Sequence, residues 1–145
     1  MKCHLIALSL CLPLIFVQGA LAREPEVAVR SARPLRQQVE SYVELLQKES
    51  IKAKTTKDKY RALEHSLAQI RMLRENSEPQ NAKDEAQMDL LVSVLESLPK
   101  QREFKKKECP QYENELISTY EPTTEEAPKE PAVKPGWDFL RAVCN

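Results

Sequence analysis

The sequence predicts an all-α protein: a small antiparallel bundle of about three amphipathic helices, followed by a proline-rich C-terminal loop closed by a disulfide. Three observations predict it. No glycine occurs between Gly19 and Gly136, so most of the chain lacks the residue that tight turns use most. Apolar residues recur at steps of three and four in three successive stretches, which is the spacing of one helix face. Composition then changes at the run Lys105-Lys106-Lys107, beyond which stand Cys109 and Cys144.

The first helix is expected in "PLRQQVESYVELLQKESIKA", where Leu35, Val39, Tyr42 and Leu46 form the stripe and Val43 and Leu45 widen it. Pro34 suits a first helical turn, and Ser31 is available as a cap. The second helix begins near "TTKDKY", capped by Thr55 or Thr56. Its stripe is Tyr60, Leu63, Leu67 and Ile70, and Asn76, Ser77 and Pro79 end it. A third helix starts after Asn81, with Asp84 three residues on as a weak capping box. Met88, Leu91, Leu95 and Leu98 carry that stripe up to Pro99. About a dozen large apolar side chains, each contributing roughly 1.5–3 kcal/mol on full burial, make a small core. Ordering the chain opposes this with a larger entropy term, so a marginal monomer is expected, helped by a disulfide, by self-association or by a partner.

The N-terminus, "MKCHLIALSLCLPLIFVQGALA", has a basic Lys2, an apolar run from Leu5 to Val17 and the small-residue pattern Ala20-Leu21-Ala22. This is the layout of a secretory signal peptide cut after Ala22, and the run is short for a membrane span of about 20 residues. Residues 1–22 are therefore expected to be removed and the protein secreted to the extracellular space. Cys3 and Cys11 leave with the signal, and Cys109 and Cys144 remain to form one bridge enclosing 34 residues, as an oxidising compartment favours. Intermolecular pairing is the alternative. No N-x-S/T sequon is present, since Asn76, Asn81 and Asn114 are each followed by the wrong residues.

The mature chain divides by charge. Residues 23–107, the helical region, carry 18 Lys/Arg against 14 Asp/Glu, while 108–145, the acidic tail, carries 3 against 8. Within that tail "YEPTTEEAPKEPAVKPGW" has the composition of an extended or disordered segment. "YENELISTY" offers a short helix or strand, and "GWDFLRAVCN" concentrates apolar residues beside the last cysteine.

Catalytic chemistry is not expected. The mature chain has one histidine, His65, no His/Cys cluster with metal-ligand spacing, and one glycine, Gly136, which leaves no phosphate loop or nucleophile elbow. "DEAQMD" lacks the glycine and spacing of a calcium loop, and Glu125-Glu126 sit in the proline-rich tail with nothing to hold them at a catalytic separation. No cofactor is expected. A small, interleaved basic excess with few aromatics argues against nucleic acid. The stripes lack the Trp/Phe-rich face of strong membrane insertion, so membrane binding is not expected.

What remains is binding. The expected function is that of a small secreted non-enzymatic signalling or interaction protein engaging an extracellular protein or receptor. Trp137, Phe139, Leu140 and Arg141 are the expected partner-binding residues, because aromatics and arginine dominate interface energetics. The competing expectation is that these residues form a lid on the core. Two further functions are open. One is a peptide-hormone-like precursor cut after Lys107 to release 108–145, with Lys105, Lys106 and Lys107 as the processing site. The other is an amphipathic lipid or apolar-ligand binder. The bland reading of the lysines is a solvated helix C-terminus, where cations favour the macrodipole.

Overall fold

A computed structural model describes residues 33–78, 81–122 and 127–145. The expected signal segment 1–22 with Ala22, the cap Ser31 and the pair Glu125-Glu126 lie outside the described residues. Among the described residues the chain is all-helical, with five α-helices and no strand.

The first helix, α1, runs Leu35–Lys52 and buries Leu35, Val39 and Leu46. Pro34 is its N-cap, and no side chain caps it; the Gln38 side-chain amide instead donates to the Arg33 carbonyl at 2.7 Å. Helix α2, Thr56–Asn76, starts where the Thr55 hydroxyl accepts the Asp58 N–H at 3.1 Å. It buries the expected stripe of Tyr60, Leu63, Leu67 and Ile70. Helix α3, Ala82–Ser97, is capped by Asn81, whose side-chain oxygen accepts the Asp84 N–H at 2.8 Å. Leu98 closes the stripe from just outside the helix: it takes ψ 144°, the extended conformation that the ring of Pro99 imposes on the residue before it.

Charged pairs align α2 with α3. The Arg74 guanidinium reaches Asp89 at 2.8 Å and Glu85 at 2.6 Å, and Arg71 Nε reaches Glu96 at 2.9 Å. The hydrogen bond from Arg74 holds the Asp89 carboxyl below its usual range. Earlier residues of α2 meet later residues of α3, so the two helices run antiparallel. Pairs this exposed fix register more than they stabilise.

The tail departs most from expectation. The segment "YENELISTY" takes the helical one of its two expected forms, whereas the last residues of the stretch read as extended, from Lys134 on, open a second helix. Cys109–Tyr120 form α4, with Pro110 in its first turn, and Lys134–Cys144 form α5, with Pro135 in its first turn. Proline is tolerated there because those N–H groups have no intrahelical partner. The Glu121 carboxylate accepts the backbone N–H of Lys129 at 3.1 Å and that of Glu130, which ties the two ends of the interhelical loop together. Helix α5 then packs against α1, α2, α3 and α4. Leu116, Ala132, Val133, Phe139, Leu140 and Val143 join the core, which is thus larger than the helical region alone supplies. The change of composition at Lys107 is not a boundary of packing.

Gly136 marks a close approach of α5 to α3. A Cβ at this position would stand 2.6 Å from Cγ1 of Val94 on α3, a contact no real methyl makes. Gly→Ala inside a helix ordinarily stabilises. Here Gly136→Ala is expected to destabilise by about 1–3 kcal/mol through overpacking. The double variant with Val94→Ala should cost less than the two singles summed. Urea denaturation of the four chains measures this, and additive losses would remove the proposed clash.

Candidate functional site

Helix α5 has two faces set by its sequence. Gly136, Phe139, Leu140 and Val143 fall at steps of three, one and three and are buried. Lys134, Trp137, Asp138 and Arg141 follow the same spacing on the other side, and there Lys134 and Arg141 are exposed and Trp137 and Asp138 half-buried.

The inner face is core. Phe139 and Leu140 are each 1% exposed. Phe139 meets the Tyr60 ring edge-on, with centroids 5.1 Å apart at 82°. Tyr60 turns its hydroxyl to the Pro99 carbonyl at 2.7 Å, and burial pushes its phenol well above the usual range. The expectation that Phe139 and Leu140 present a binding surface is therefore corrected: an aromatic next to the central crossing is better placed against Tyr60 than in water.

The outer face is organised by pairs one turn apart. The Arg141 guanidinium carbon lies 5.1 Å from the centre of the Trp137 ring, within cation–π range. Lys134 pairs with Asp138 at 2.6 Å, and Asp138 also accepts the Gln47 side-chain amide of α1 at 2.8 Å. Trp137 packs partly on the core cluster. Two of the four expected residues thus share an accessible face, and Lys134, Asp138 and Gln47, which are not among those four, brace it. The i,i+4 spacing of Lys134 with Asp138 and of Trp137 with Arg141 was the available signal.

Comparison with protein-family models, with curated proteins and with solved structures finds no match to this chain. Geometry and chemistry alone carry the functional reading.

The end of α5 is held in three ways. Cys109 and Cys144 are bridged, with Cα atoms 6.0 Å apart. The Lys59 ammonium donates to the Ala142 carbonyl, and the Lys106 ammonium to the Asn145 carbonyl at 3.2 Å. Both cations meet the negative end of the helix dipole.

The lysine run lies elsewhere than at a helix C-terminus. Helix α3 ends at Ser97, and Lys106–Glu108 form one 3-10 turn leading into α4. The run therefore precedes a helix N-terminus, where cations are unfavourable. Glu108 offsets this by pairing with Lys105 at 3.2 Å and accepting the Tyr112 hydroxyl at 3.0 Å. The Tyr112 hydrogen bond, then that from Lys105, hold the Glu108 carboxyl below its usual range.

A groove of about 510 Å³ lies between α1 and α3 beside the start of α5. Val39, Val43, Met88, Leu91, Ala132 and Pro135 supply apolar lining; Glu40, Glu44, Asp84 and Glu130 supply carboxylates against the cations Arg36 and Lys83. Arg36 is engaged by Glu40 at 2.8 Å, and one Glu130 carboxylate oxygen is buried without a hydrogen-bond partner. Among the described residues no group of His, Cys, Asp or Glu has metal-site geometry, and no helix is long and apolar enough to cross a membrane.

Proposed function

We propose that this chain is a small secreted, non-enzymatic protein that acts by binding an extracellular protein partner, with the Trp137–Arg141 pair at the centre of the contact. The observation that carries this is the stacked pair itself: the chain's one tryptophan, half-buried, under an exposed arginine on a braced helix. Aromatic and arginine anchors contribute most to interfaces, and a rigid support lowers the ordering cost of presenting them. Secretion draws support from the A-x-A pattern before Arg23 and from the bridge, which oxidising compartments favour.

Arg141 gives the cleaner test because it is exposed. Arg141→Ala should leave the unfolding free energy within about 0.5 kcal/mol of the parent. Saturable binding of fluorescently labelled protein to a panel of cell surfaces should fall about thirtyfold, as for an interface residue of about 2 kcal/mol. Trp137→Ala should lose binding equally but with some loss of stability. Parent-like binding by Arg141→Ala on every surface that the parent binds saturably would sink this placement.

A second reading, an apolar-ligand binder, has the α1–α3 groove behind it. Its volume falls within the usual range for ligand sites. Its carboxylate excess favours an amphiphile with a cationic head. Titration should then show a long-chain amine binding more tightly than a fatty acid of equal length, with Glu44→Gln narrowing the difference. Equal affinities would remove this reading.

A further inference from the structure

Lys105, Lys106 and Lys107 are all exposed. They lie outside the long helices, in a connection held by local turns: the Glu103 and Phe104 N–H groups donate to the Lys100 carbonyl at 2.9 Å, and the Glu108 N–H to the Lys105 carbonyl at 2.8 Å. Opening this stretch for a protease breaks these turns, the Lys105–Glu108 and Lys106–Asn145 contacts and the first turn of α4, and leaves α1, α2 and α3 intact. Arg71 and Arg74, spaced as R-x-x-R, sit within α2 and are engaged by Glu96, Asp89 and Glu85.

Both halves of the bridge, Cys109 and Cys144, lie downstream of Lys107. A cut there leaves no covalent link between the two pieces. Non-covalent contacts across the cut are extensive. Phe139 rests on Tyr60, Gly136 faces Val94, and Asp138 holds Gln47 at 2.8 Å. The Lys59 ammonium caps the end of α5 at Ala142.

We propose that Lys105–Lys107 is a site of proteolytic modification whose product is a nicked two-chain protein, not a freed peptide. Water adds across the Lys107–Glu108 peptide bond, leaving a carboxylate on Lys107 and an ammonium on Glu108. Residues 108–145, closed into a ring by the bridge, stay seated with α5 in the core. The biological setting rests on the export proposed above; the chemistry does not, so purified protein tests it separately.

The experiment uses the full, oxidised chain and an endoprotease specific for paired basic residues, near neutral pH. Mass spectrometry locates the cut, and gel filtration without reductant follows the pieces in buffer and in concentrated urea. The expected result is cleavage after Lys107, a single peak containing both pieces in buffer, and two peaks in urea. Elution of 108–145 by itself in buffer would overturn retention. Resistance of the lysine run in the folded chain, with cutting elsewhere or nowhere, would overturn the site.

Discussion

Phe139→Ala lowers the unfolding free energy by about 3–5 kcal/mol, the usual range for removing a fully buried phenylalanine. The side chain is 1% exposed and lies on a helix that packs against α1, α2, α3 and α4. Its loss opens a cavity beneath Tyr60, whose hydroxyl is anchored to Pro99 at 2.7 Å, so the ring cannot swing far to fill it. Small domains have about 5–15 kcal/mol in total, so the variant retains little reserve. Urea denaturation followed by Trp137 fluorescence gives the value, since Trp137 is the chain's sole tryptophan and rides on the same helix. A loss under about 1 kcal/mol would mean that α5 is a dispensable appendage.

Replacing both bridge cysteines, Cys109→Ser with Cys144→Ser, costs about 3–4 kcal/mol by loop-entropy arithmetic for a loop of this length. The bridge joins the start of α4 to the end of α5 across a separation of 35 residues. Without it the unfolded chain gains freedom, and the last turn of α5 keeps the Lys59 and Lys106 contacts and the buried Val143. The denaturation midpoint should fall, and the parent treated with reductant should match the serine variant. An unchanged midpoint on full reduction would show that the contacts of α5 hold the tail without help. The mechanism differs from that of Phe139→Ala. One change acts largely on the unfolded state and the other on the packed core.

The helical elements differ in how openly the sequence carried them. Tyr60, Leu63, Leu67 and Ile70 mark one face of α2, and Thr55 marks its start; both are local signals, and both hold. The Cys109–Cys144 pairing followed from counting once the signal segment was set aside. Helix α5 was harder to see. Its opening, Lys134-Pro135-Gly136, reads as a break when taken alone. Pro135 is harmless in a first turn, and Gly136 is there for its lack of a Cβ against Val94. That reason lies on another helix, beyond the reach of any local pattern.

The candidate site divides in the same way. Trp137, Phe139, Leu140 and Arg141 have a composition that suits an interface and a core equally, and spacing alone does not say which side faces in. By itself the sequence determined the helical class, the stripes of α1, α2 and α3, two of the caps and the one bridge, because each depends on residues near in the chain or on simple counting. Only the tertiary structure decided that "YENELISTY" is a helix and not a strand, that a second helix opens at Lys134, that Phe139 belongs to Tyr60, and that Trp137 and Arg141 remain outside. The physical reason is that burial depends on which surfaces meet. The apolar stripes of α1, α2 and α3 leave a core that needs α5 to complete it, and the face of α5 that fits against Val94 and Tyr60 is the one that turns inward.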